Sequence, residues 1–114
     1  MNERDPEWLI DMLESARQAS LLLGTRGVAE LDADKRTLLS VRLATQMIGE
    51  AATRVSPQGQ AQLPEVPWSN IIGMRHRVVH GYRTINTTLI VDTVREHIPP
   101  LIAVLEAAGL EGGR

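Results

Sequence analysis

Hydrophobic positions recur along this chain at steps of three and four residues, and no stretch alternates in the period-two manner of a strand. Leu9, Met12, Leu13, Ala16 and Leu23 form the first stripe, with Asp5 and Pro6 ahead of it as N-cap and first-turn proline and Gly24 behind it as a stop. The spacing predicts a helix over about 6–23. Asp32 can cap a longer second helix, in which Leu38, Leu39, Leu43, Met47 and Ala51 recur, running to about Val55. Ser56-Pro57, Gly59, Pro64 and Pro67 then predict a loop over 56–66 with one turn, because proline lacks the amide donor and disfavours helix in the residue before it. Pro67 opens a third helix with Trp68, Ile71, Ile72, Arg75 and Val79 on one face, and Gly81 is placed to end it. Asn86 can cap a last helix from Thr87 to about Ala108, kinked at Pro99-Pro100, with residues 111–114 as a frayed tail. The predicted architecture is all-α, an up-and-down bundle of four to five helices.

A length of 114 residues suits one domain spanning 1–114, able to bury roughly two-thirds of the surface its unfolded chain exposes. The absence of cysteine removes disulfides and thiolate metal sites and fits a reducing compartment. No apolar run approaches the roughly 20 residues that span a bilayer, and Met-Asn-Glu-Arg-Asp-Pro lacks the features of a signal peptide. A cytoplasmic protein without membrane contact is expected.

A net charge of −2 argues against a protein that holds nucleic acid by bulk positive charge. The distribution is more informative. No acidic residue occurs between Glu65 and Asp92, while Arg75, Arg77 and Arg83 all lie there, so this stretch carries +3 on a body of −5. Within it, residues 75–82 read Arg-His-Arg-Val-Val-His-Gly-Tyr, gathering His76, His80 and the chain's single tyrosine, Tyr82. These groups suit phosphate chemistry: a guanidinium can fork onto phosphate oxygens, an imidazole can move protons near neutral pH, and a phenol can accept a modification. The phasing also sets Arg75 at the edge of the apolar stripe, where its guanidinium should find a partner or line a cleft.

The run Pro67-Trp68-Ser69-Asn70-Ile71-Ile72-Gly73-Met74-Arg75-His76-Arg77-Val78-Val79-His80-Gly81-Tyr82 resembles the signature of the HepT family of HEPN toxins: Arg, four residues, His, one residue, Tyr. Arg4-Asp5-Pro6, Ile48-Gly49-Glu50-Ala51 and Asp92-Thr93-Val94 are similar to family features as well, so the resemblance extends over nearly the whole chain. It implies a helical bundle, a homodimer whose two motifs face each other, and a metal-independent ribonuclease needing no cofactor. It further implies the toxin of a type VII-like toxin–antitoxin pair, whose antitoxin is a minimal nucleotidyltransferase that adenylylates Tyr82. RNA is the implied substrate, with transfer RNA among the candidates. His76 departs from the pattern, since HEPN proteins often carry asparagine after the motif arginine.

RNA supplies its own nucleophile in the 2′-hydroxyl, so cleavage needs proton transfer and stabilisation of a crowded, charged phosphorane, and DNA should not be cut. His80 suits the proton transfer and Arg75 the phosphate. A second proton-transfer group would come from the partner's motif in a two-fold dimer, or from His76. Arg77 and Arg83 would support RNA. Structural alternatives stand beside these roles: Arg75 as a core-edge arginine paired to Glu50, His80 as a helix-end cap, and Tyr82 as a packing residue. His76 and His80 are four apart as metal-clip histidines are, yet no carboxylate nearby completes such a site. As a different class of function, the chain could be a non-catalytic helical dimer that binds a nucleotide or a partner nucleotidyltransferase.

Overall fold

The two longest apolar stripes pack on each other. In the computed structural model, which describes residues 1–80 and 86–110 and the side chains of all of these except 77–80, helix α1 (Asp5–Leu23) and helix α3 (Lys35–Arg54) form the most extensive pairing. Leu9, Met12, Leu13 and Ala16 of α1 meet Leu38, Val41, Ile48 and Ala52 of α3, all essentially without solvent exposure. Burying each leucine in this way contributes about 2 kcal/mol. The short helix α2 (Val28–Asp32) joins them and buries Leu31. Helix α5 (Trp68–His80) lies on the other side of α3, and a final helical segment, α6 (Thr87–Asp92) continued through 93–97 into α7 (Ile98–Ala107), closes against α1. The result is an all-helical bundle with α3 at its centre, as the periodicity predicts.

Three local details differ from the expectation, each for a visible reason. Asp32 does not cap the second long helix. It ends α2 and accepts the Thr87 hydroxyl, while Asp34, two residues on, accepts the Thr37 amide and hydroxyl and caps α3. Residues 57–62 are helical rather than loop: Pro57 occupies the first turn of α4 (Pro57–Gln62), where its missing N–H is no loss, and Ser56 caps it by accepting the Gly59 amide. Asp5 is the first residue of α1 rather than its N-cap. Its buried carboxylate accepts the Asn2 amide at 2.8 Å, the Ser56 amide at 2.9 Å and the Ser56 hydroxyl. That carboxylate ties the start of α1 to the end of α3, which sets the two helices antiparallel. Burial alone would raise the Asp5 pKa, but the hydrogen bonds from Ser56 and Asn2 outweigh it and hold the group below the ordinary aspartate value.

The prolines of the last helix act upstream of themselves. Pro99 and Pro100 cannot donate to the carbonyls one turn back, and the ladder widens over Thr93–His97 into one π-helical turn, in which the Ile98 amide reaches the Thr93 carbonyl five residues back. Asn86 caps α6 as the sequence suggests, accepting the Leu89 amide at 3.0 Å. Among the described residues, no helix is long and apolar enough to cross a membrane.

Candidate active site

Arg75 sits where α5 crosses α3. Gly49 makes that crossing possible. A Cβ at position 49 would lie 2.8 Å from Arg75 Cγ and 3.3 Å from its Cα, and closer still to its Cβ. The missing side chain therefore lets the Arg75 backbone rest against α3. One residue on, Glu50 receives the guanidinium: its Oε1 accepts from Arg75 Nε at 3.0 Å and stands 2.9 Å from Nη2. Both side chains are partly exposed, so the pair contributes on the order of 1 kcal/mol or less to stability. Its geometric effect is larger, since it fixes the guanidinium at the bundle surface beside the helix that leads to His80. The core-edge pairing open to Arg75 in the sequence is thus realised, and it leaves N–H donors of the guanidinium uncommitted to Glu50.

His76 is exposed on α5, and His80 is the last residue of that helix. The side chains of Arg77 and His80 lie outside the described residues, as do Tyr82 and Arg83 altogether. The structure therefore brings together Arg75 and Glu50 and sets His76 on the same helix.

Two neighbouring features were not legible as site components in the sequence. Leu39, Leu43 and Met47 form a stripe along α3 that is about half exposed, at 48%, 55% and 49%, and it runs toward Glu50. Helical periodicity alone counts these residues as core. Arg4 and Arg54 both stack over the Trp8 ring, 4.9 and 5.0 Å from its centroid. Gly49 carried a usable signal: glycine in mid-helix is unfavourable by up to about 1 kcal/mol unless another backbone needs the space.

Residues 12–108 match the family described as Ribonuclease HepT-like, a span that includes α3, α5 and the Arg75–Glu50 pair. The chain belongs to the HepT-like ribonuclease family. It is 33% identical over 95 residues to a protein of Thermococcus cleftensis named probable ribonuclease HepT, covering 80% of this chain and 86% of that one. It is 29% identical over 102 residues to a Methanocaldococcus jannaschii protein provisionally named an RNase, covering 89% and 94%. No solved structure matches it at a significant level. HepT-like membership makes the chain an enzyme of RNA phosphodiester cleavage.

Proposed function

We propose that this HepT-like ribonuclease is a toxin that cleaves RNA without a metal, using Arg75 and His80, and that adenylylation of Tyr82 by a partner nucleotidyltransferase silences it. The observation that carries the reading is the Arg75–Glu50 pair, which presents a fixed guanidinium at the surface beside the motif helix. Arg75 binds the scissile phosphate and offsets charge as the phosphorane forms. His80 takes the proton of the 2′-hydroxyl; the 2′-oxygen bonds to phosphorus, the bond to the 5′-oxygen breaks, and the leaving oxygen gains a proton from a second acid. In a homodimer that acid is the partner copy's motif histidine, with His76 as the group within the same chain. The exposed stripe Leu39–Leu43–Met47, continuous with Glu50, supports a second copy as the occupant of that face. Arg77 and Arg83 would add attraction for the RNA backbone.

Silencing follows from the same groups. The Tyr82 oxygen attacks the α-phosphorus of ATP and pyrophosphate leaves, so the new phosphodiester brings an anion to the arginine-rich motif, where it competes with RNA. The test combines cleavage of a mixed RNA pool with intact mass and peptide mapping of 76–83, with and without the partner nucleotidyltransferase. RNA but not DNA should be cut, His80→Ala should abolish cutting while the chain stays folded, and AMP should appear on Tyr82 in the silenced protein. Undiminished cleavage by His80→Ala would refute the assignment of the base; full silencing with Tyr82 unmodified would replace adenylylation by steric masking.

A further inference from the structure

Helix α5 turns one side to α3 and leaves a crevice on the other. Between α5 and the segment 87–107 lies a cavity of about 340 Å³, with Ile71 and Met74 on one wall and Leu89, Ile98 and Leu101 on the opposite one. Among the described residues its polar lining is Asn70, Thr93 and His97, with no carboxylate, lysine or arginine. The Thr93 hydroxyl is engaged, donating to the Leu89 carbonyl at 2.7 Å. The Asn70 amide and the His97 imidazole are therefore the groups on offer, and both residues are exposed. His97 closes the π-helical turn, a device that often marks a functional position in a helix.

The crevice is a neighbour of the Arg75–Glu50 pair on both helices. Met74 lines it and precedes Arg75; Ile48 lines it and precedes Gly49-Glu50. One residue is about a 100° step around a helix, so the guanidinium and the apolar slot belong to the same α3–α5 crossing.

We propose that this crevice is a base subsite, which receives one unstacked RNA base while Arg75 holds the adjoining phosphate. The inference rests on the ribonuclease reading and extends it to the substrate's sequence. The lining selects the ligand class. The described lining is mostly apolar and holds no carboxylate, lysine or arginine, so it favours a flat, neutral heterocycle, which desolvates its faces between aliphatic walls and the Met74 thioether, over a charged side chain. The volume is at the lower end for ligand pockets and suits one base rather than a stretch of chain. A side-chain amide carries a donor and an acceptor side by side, the pattern that reads adenine's N6 and N7, and the imidazole supplies another polar contact to a base edge. Bases splayed out of a single strand are how RNA sequence is usually read.

The experiment uses the full chain carrying His80→Ala, titrated with AMP, GMP, CMP and UMP separately and followed by NMR at the Met74 methyl and the His97 ring. Saturable shifts at both groups are expected, with one base preferred. Asn70→Ala and His97→Ala, at exposed positions that should leave the fold intact, should each weaken the preferred nucleotide by about tenfold, the size of one lost base-edge contact. Leu89→Trp, which fills the slot, should abolish the shifts. Absence of shifts with all four nucleotides, or an affinity read at the Met74 methyl that neither Asn70→Ala nor His97→Ala alters, would overturn the subsite. Shifts in a protein whose wild-type form cuts no RNA would remove the ribonuclease reading and leave the subsite standing.

Discussion

Alanine at position 49 should destabilise the protein, and the same substitution at position 73 should stabilise it. Both glycines lie inside long helices, so both changes gain the intrinsic preference of alanine over glycine, about 1 kcal/mol. The surroundings then separate them. A methyl at Gly73 meets nothing within 4 Å, whereas one at Gly49 stands 2.8 Å from Arg75 Cγ and overlaps its Cβ. Carbon atoms prefer a separation of roughly 3.5–4.0 Å. Arg75 cannot relieve the overlap by changing rotamer, because its Cβ is fixed by the helix backbone, so α5 must move off α3. Overpacking of this kind costs about 1–3 kcal/mol and occasionally more. Overlap with a Cβ that cannot rotate away puts the cost at the upper end, so Gly49→Ala should lose on the order of 1–2 kcal/mol net, and Gly73→Ala should gain up to about 1 kcal/mol. In a domain of about a hundred residues this becomes a melting temperature lowered by roughly 5–10 °C for the first and raised by a few degrees for the second. Thermal unfolding by circular dichroism at one protein concentration checks both. RNA cleavage by Gly49→Ala should fall further than its stability does, since the displaced helix carries Arg75. A Gly49→Ala protein as stable as wild type would refute the close α3–α5 crossing on which the site is built.

Asp5 gives a pH signature. Its pKa is lowered in the folded state, so its hydrogen bonds stabilise the protein above the ordinary aspartate pKa, near 4, and that stability is lost as pH falls from there through the folded value. Asp5→Asn should lower the melting temperature at pH 7 and flatten the decline below pH 4; an unchanged acid profile would show that the carboxylate is not the tie between α1 and α3. Leu43→Asp, in the middle of the exposed α3 stripe, should convert a dimer to a monomer in light scattering or sedimentation while leaving the helical signal intact. A dimer that survives would place the second copy on another face.

The helices were legible in the sequence wherever one stripe faces one core. Leu9–Leu23 and Leu38–Ala51 fixed α1 and α3 within a few residues, and Asn86 announced α6 by its chemistry alone. Legibility failed where a polar residue had more than one possible partner. Asp32 and Asp34 are both plausible caps two residues apart, and only the position of Thr87, far along the chain, diverts the first of them. Ser56-Pro57 reads equally as a loop and as a helix start, and the buried Asp5 carboxylate decides for the helix by accepting the Ser56 amide and hydroxyl. For the site, the phase of Arg75 against Ile71 and Ile72 revealed that the guanidinium needed a partner, and Glu50 is the partner observed. Periodicity could not reveal that Leu39, Leu43 and Met47 face outward, because an apolar stripe looks the same whether its cover is the chain's own core or another molecule. Nor could it reveal the crevice, which exists because α5 and the last helix stand apart.

The Glu50 contact also changes when the disorder of the arginine is removed. A free arginine side chain samples many rotamers, a freedom worth about 2 kcal/mol that is ordinarily surrendered when it grips a ligand. In this protein Nε and Nη2 are already anchored to one carboxylate oxygen, so much of that freedom is surrendered as the bundle folds. Under the proposed role of Arg75, an incoming phosphodiester would meet a guanidinium already set in one orientation, and the carboxylate that limits its charge would also be what holds it ready.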